Sequence, residues 1–365
     1  MKPSLLIRAD ATSRMGTGHV MRCLALAQAA RGAGLDVHLV CRLGGVEWLA
    51  ERLFREGVPL LRLPGEPPTA ETPETLLRQL RGAGLSEPAP RGAPVWVVLD
   101  GYHFGPDCQQ AVMEAGYGLL VIDDTAHLPE YHCDLLLNQN VGADALAYAG
   151  AIGQKLLGPA YALLRREFPE ARPAALTRSR PARPQNILVT LGGGNFPEYL
   201  EGIAAAMAVP GLAGHTVRVV MGAMDAAQVR PAFAGSPARL ELLPRVDDMA
   251  TLLLDTDLCI TAGGSTCWEL CCLGVPFLTV EVAENQHEVC RWLAENGIAP
   301  RFSPAALGGL LNGPEPARTR AAAMRLVTGD GAADVVRRLH NTMPGRTRER
   351  NIGTGTRAAS AEKRP

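Results

Sequence analysis

The chain has almost no net charge: 36 Lys and Arg stand against 37 Asp and Glu, leaving −1 over 365 residues. A balance so near zero points neither to nucleic acid nor to an anionic membrane as a partner. No apolar stretch approaches the ~20 residues of a spanning helix, and the start, MKPSLLIRAD, lacks the apolar length of a signal peptide. A cytoplasmic protein is expected. Nine cysteines are present, but none forms the Cys-x-x-Cys pair of a zinc knuckle. Cys267 and Cys271 lie one helical turn apart with no second pair, and most of the others sit in apolar runs, as buried reduced thiols do. There is also no Gly-x-x-x-x-Gly-Lys-Ser/Thr run, which excludes an ATPase P-loop.

What is present suits two α/β domains, since 365 residues with 47% hydrophobic content exceed one core. The organising stretch is RADATSRMGTGHVMR, Arg8 to Arg22. A strand, Leu5 to Ile7, feeds a polar loop that narrows to Gly16-Thr-Gly18, and a helical pattern runs from about Gly18 to Gly32. Gly16 and Gly18 allow φ > 0 or close approach to a ligand. His19 falls in the first turn of that helix, where unpaired N–H groups are expected to keep an imidazole neutral and able to accept a proton.

DVHLVCR and VEWLAERLFREG continue as strand and helix, which makes a parallel strand-helix-strand unit. Leu63 to Pro94 reads as a surface connection with a short helical patch at ETLLRQLRGAG. VWVVLD, LLVIDD and CDLLLNQN are buried strands that end in polar residues. Their C-terminal ends converge on one crevice, so Asp10, His19, Tyr102, Asp123 and Asn138 are expected to line a cleft. Asp and Asn also end strands for local reasons, which is the competing explanation for each.

PEARPAALTRSRPARPQ, rich in Pro and Arg, reads as a linker. A second series begins at Asn186. NILVT leads into Leu191-Gly-Gly-Gly-Asn195, and DLCIT into Ala262-Gly-Gly-Ser-Thr266 and a helix. Backbone N–H groups at Gly192, Gly193 and Gly194, and at Gly263, Gly264, Ser265 and Thr266, suit a diphosphate. Glu269, one turn into the helix, suits a ribose diol. Asp247-Asp248 should cap a helix. Asp257 reads as a strand-entry residue rather than half of an Asp-x-Asp metal site. GAADVVRRLHNTM reads as a closing helix and the tail from about Pro344 as disordered.

The expected architecture is α/β: two Rossmann-like parallel-sheet domains with a cleft between them, GT-B-like. Its parts are 1–165, a linker at 166–185, a nucleotide-binding domain at 186–343 and the tail at 344–365. RADATSRMGTGHVMR, LDGY, IDD, CDLLLNQN, LLGPAYALLRREF, TLGGGN, ITAGGSTCWELCCLGVP and ENQ, in that order, resemble the PseG family from about Leu6 to Trp292. Members of that family are UDP-2,4-diacetamido-2,4,6-trideoxy-β-L-altropyranose hydrolases of pseudaminic acid biosynthesis. The resemblance implies that His19 acts on the hydrolytic water, that Tyr102 is the tyrosine of its Asp-x-Tyr motif, and that Glu269 and Asn285 are its nucleotide-side acid and amide. It also implies a UDP-sugar and water as reactants; cleavage of this kind, with UDP as leaving group, is expected to need no cofactor and no metal. Asp10, from its place at a strand end, is expected to join His19 and Tyr102 in catalysis, and Gly16, Gly18, Arg22, Asn285 and Gln286 are expected to meet the substrate. The family often has an aspartate where this chain has Asn195. A monomer is expected. A GT-B glycosyltransferase using the same donor and a non-catalytic nucleotide-sugar binder remain open alternatives.

Overall fold

The computed structural model of the chain describes residues 2–83, 94–181, 183–313 and 317–342. The tail expected to be disordered, 344–365, lies outside the described residues. Two parallel sheets carry the fold. The first has seven strands in the order Leu60–Arg62, Asp36–Cys41, Ser4–Ala9, Val95–Asp100, Gly118–Ile122, Tyr131–Asn138 and Gly150–Leu157. The second has five: Arg239–Leu243, Thr216–Val220, Asn186–Thr190, Leu258–Ala262 and Phe277–Val280. Strands such as Val95–Asp100 and Leu258–Ala262 are buried along their whole length. Continuous apolar runs of this kind need helices on both faces, and a parallel sheet supplies them.

In each sheet the chain starts in the middle, winds outward to one edge and returns on the other side of its first strand. The reversal falls between Ser4–Ala9 and Val95–Asp100 in the first sheet and between Asn186–Thr190 and Leu258–Ala262 in the second. Ligands bind at the carboxyl ends of strands at such reversals. Register sharpens the point: Ala9 lies opposite Asp100, and Asp100 opposite Ile122. The loops that follow these three residues therefore leave the sheet side by side.

Helix Gly18–Gly32 forms as its spacing predicts and buries Val20, Cys23, Leu24, Ala27 and Ala30 against the first sheet. Helix Thr266–Leu273 ends at Gly274, whose φ of 58° closes the last turn in the left-handed conformation.

Two expectations change. The segment 166–185 is not a bare linker, because Glu167–Thr177 is helical. Pro169 stands in its first turn, where the missing N–H breaks no bond. Phe168 and Ala175 are buried with the second sheet's helices, and Arg172 donates to the carbonyls of Cys272, Met324 and Val327. The closing helix Gly331–Asn341 does form, but it leaves the second half. Its Ala332, Val335, Val336 and Leu339 join the core of the first sheet against helix Gly18–Gly32. Each of the three larger side chains contributes about 1.5–3 kcal/mol by burial. Local sequence shows an apolar face on a helix but not which half of the molecule it covers.

Candidate active site between the two sheets

A cavity of about 530 Å³ separates the carboxyl ends of the two sheets. From the first half it is walled by residues 14–19, 21–22, 45, 46 and 48, with Asp124 and Asn140. From the second half come residues 190–194, 244–246 and 261–266, with Glu269, Asn285 and Gln286. The two glycine loops nearly touch across it, since a methyl group on Gly193 would lie 2.9 Å from Thr17 Oγ1. Gly16 has φ +82°, and its N–H bonds Thr12 O at 2.8 Å, which closes a tight turn. Gly18 does not use a positive φ. It begins the helix with open space beside it.

His19 lies on the cleft wall with its Nδ1 2.6 Å from Asp100 Oδ1. Burial by itself would raise the Asp100 carboxyl, but the Arg22 guanidinium and the His19 ring hold it well below the usual carboxylate range. An ionised carboxylate only accepts, so Nδ1 carries the proton and Nε2 is left as the basic nitrogen. Besides the helix start expected to prepare the ring, a carboxylate selects its tautomer. Strand register puts it there, as Asp100 ends the strand beside the one that feeds the His19 loop.

Arg22 is expected to meet substrate, but it is engaged within the protein. Its Nε and Nη2 donate to Asp100 at 2.7 Å each, and Nη1 and Nη2 donate to Asp124 at 2.8 and 3.0 Å. Asp124 also accepts from Asn140 Nδ2 at 3.0 Å and from the Tyr102 hydroxyl at 3.2 Å. Tyr102 stands edge-on to the His19 ring at 5.6 Å and is 41% exposed. Its hydroxyl accepts from Asn285 Nδ2 at 3.2 Å, a bond that joins the two halves. Although Tyr102 is 41% exposed, desolvation around its hydroxyl and the Asp124 charge push that group above its ordinary pKa, so it remains a donor. An unbroken chain of polar contacts thus runs from Asn285 through Tyr102, Asp124, Arg22 and Asp100 to His19.

The second half contributes backbone more than side chains. Gly192 takes φ +90°, and Gly222 packs so close that a methyl there would lie 2.5 Å from Gly192 O. This tight packing fixes the path of 192–194. Gly264, Ser265 and Thr266 lead into helix Thr266–Leu273; Cys267 N and Trp268 N already bond Gly264 O and Ser265 O at 3.0 Å each, so the donors left at this helix start are the amides of 264–266. Gly263 differs from expectation. Its N–H bonds Val280 O and Gln286 Oε1, both at 3.1 Å, and Gln286 Oε1 also accepts from Val282 N at 3.1 Å. Gln286 lines the cavity while its side-chain carbonyl is committed to holding the loop.

Glu269 is 9% exposed on the cavity wall, 3.2 Å from Arg165 Nη2. Burial raises its carboxyl to about 7; Arg165 opposes the shift and Glu167 adds to it.

Other expected site residues lie elsewhere. Asp10 is fully buried among Arg8, Arg42 and His103. Burial would raise its pKa, but His103, Arg8 and the Arg42 N–H hold it low. It is a core charge balanced by its neighbours. Asp123 accepts from the N–H groups of Thr125 and Ala126 and from His127, and Asn138 donates to Tyr148. Both are enclosed, and their chain neighbours Asp124, Gln139 and Asn140 reach the cavity instead. Asp248 does cap helix Met249–Leu254, whereas Asp247 pairs with Arg55 and Arg245. Asp257 accepts from the N–H groups of Gln185 and Asn186 at strand entry, and Asp255 pairs with Arg218.

Residues 186–291 match the model of the glycosyltransferase family 28 C-terminal domain. The chain is 33% identical over 145 residues to the spore coat polysaccharide biosynthesis protein SpsG of Bacillus subtilis, covering 39% of this chain and 42% of that protein. The chain therefore spans less than half the length of that relative. It is 24% identical over 306 residues to a UDP-2,4-diacetamido-2,4,6-trideoxy-beta-L-altropyranose hydrolase of Campylobacter jejuni, covering 82% of this chain and 98% of the relative. In fold it is similar to MurG of Acinetobacter baumannii, with TM-score 0.62 and 16% identity over 94% of this chain and 100% of that one. The architecture is GT-B, and the resemblance to the PseG-type hydrolases seen in the motifs extends through most of the chain.

Proposed function

We propose that the chain is a nucleotide-sugar hydrolase. It cleaves a UDP-sugar, of the 2,4-diacetamido-2,4,6-trideoxyhexose class, between the anomeric carbon and the diphosphate. The observation that carries this reading is the His19–Asp100 pair, set on one wall of a cavity whose opposite wall is built from glycine loops and a helix start. Amides of 192–194 and 264–266 would hold the diphosphate and take up its growing charge. Glu269 would receive the ribose hydroxyls. His19 Nε2 would accept a proton from a water molecule as the water oxygen bonds C1. The C1–O bond breaks, its electron pair leaves with UDP, and the sugar emerges with one oxygen from water. Asp100 stabilises the ring as it gains the proton. Tyr102 and Asn285, bonded across the cleft, would flank the sugar.

Turnover of a UDP-2,4-diacetamido sugar in ¹⁸O water, with no acceptor, should yield free sugar carrying the label and unlabelled UDP, read by mass spectrometry. Label in UDP, or no free sugar, would defeat the reading. The family 28 domain favours one alternative, a transferase whose acceptor hydroxyl replaces water. That enzyme would release free sugar only slowly without an acceptor.

A further inference from the structure

Four arginines line the cavity, and three already have carboxylate partners. Arg22 holds Asp100 and Asp124. Arg165 is bound to Glu167 and Glu269. Arg245 pairs with Asp247 at 3.3 Å and lies over the Trp48 ring. Arg14 differs: it is exposed, and no hydrogen bond or ion pair engages its guanidinium among the described residues. Its position is nevertheless fixed. It sits at the tip of the turn closed by Gly16 N to Thr12 O and by Met15 N to Thr12 Oγ1 at 3.0 Å. Three residues later, Thr17 abuts Gly193 of the glycine loop opposite. A cation at the mouth of a cavity gains most from an anion of high charge, because low-dielectric walls focus its field.

From this placement we infer that Arg14 is a catalytic residue of the first half that binds the diphosphate of the nucleotide. It would meet the charge that builds on the leaving oxygen as the C1–O bond breaks. The inference rests on the nucleotide reading above but not on whether water or another hydroxyl attacks.

Binding of UDP, UMP and uridine to the unaltered chain, R14A and R14K tests it by calorimetry at low and high salt. For R14A, UDP affinity should fall about 10- to 100-fold, the loss of a charge-assisted contact, and its dependence on ionic strength should weaken. UMP should lose less and uridine nothing, which also shows that the variant is folded. R14K should fall between the two. UDP affinity unchanged in R14A would overturn the Arg14 assignment alone. Failure of the unaltered chain to bind UDP would overturn the nucleotide reading and the assignment with it.

Discussion

The two halves of the molecule share a sheet plan but prepare the cleft in opposite ways. The first half faces it with His19, Arg22 and Asp124, locked through Asp100 behind them and Tyr102 beside them into a charge network in which each fixes the next. The second half faces it with glycines and a helix start, and with Glu269 as its carboxylate. Side chains can be tuned to move a proton, and backbone amides can grip an anion without changing charge. On the proposed reading the asymmetry divides the work: the first half would prepare an attacking group and the second would retain a leaving one.

Removing the base should break this division most sharply. His19→Leu should lower turnover by about 10²–10⁴-fold, measured as UDP release, while UDP affinity stays near that of the unaltered chain. Parallel losses in binding would mean that the first half also serves as a nucleotide wall.

Asp100→Asn keeps the shape but frees the ring to adopt the other tautomer. Turnover should fall on the order of 10²-fold, mainly in kcat, with an altered pH profile. A change in KM alone would show that Asp100 serves structure and not the histidine. Because Arg22 loses one of its two carboxylate partners, the melting temperature should fall as well.

The glycine side can be disturbed sterically. Gly193→Ala places a methyl 2.9 Å from Thr17 Oγ1. The crowding should cost about 1–3 kcal/mol and weaken turnover roughly tenfold, and Thr17→Ala in the same chain should restore it. No rescue would show that the two loops are independent.

The smallest effect on function concerns Glu269, whose carboxyl is raised from 4.5 to about 7. The folded chain holds this proton more tightly than the unfolded chain does. Stability from this group is therefore present at low pH and is lost as pH rises from about 4.5 to 7, a cost on the order of 3 kcal/mol. Glu269→Gln should flatten that part of the melting curve against pH. It should also remove a several-fold strengthening of UDP binding between about pH 6 and 8, since the ionised carboxylate is the better acceptor for a ribose diol. Unchanged slopes would detach Glu269 from both roles.

Much of the fold is written locally. Continuous apolar runs mark the central strands, and the glycine loops stand where strands give way to helices. Strand Gly150–Leu157, half exposed at the sheet edge, lacks the buried run that marks its neighbours. The placing of His19 and the two glycine loops on one cavity was legible because each is a residue type with special chemistry at a strand end. Asp100 was visible as a strand end, but its role depends on the register with Ala9, a pairing between segments about ninety residues apart. Asp10 misled for the converse reason: a carboxylate at a strand end looks the same in sequence whether it opens onto a cavity or, as here, lies among buried arginines and a histidine. Arg14 was hidden because its distinction is relative and appears only once the other cleft cations have been paired.

Helix Gly331–Asn341 has a mechanical consequence. The backbone passes from one lobe to the other near residue 165 and comes home before residue 331, so the lobes are tethered twice. Two tethers resist free swivelling and favour rocking about a line through both crossings, which widens or narrows the slot without shearing one wall past the other. Severing the chain near residue 326 would remove more than a terminal helix. It would strip the cover from helix Gly18–Gly32, the element that carries His19, and so loosen the reactive wall from behind.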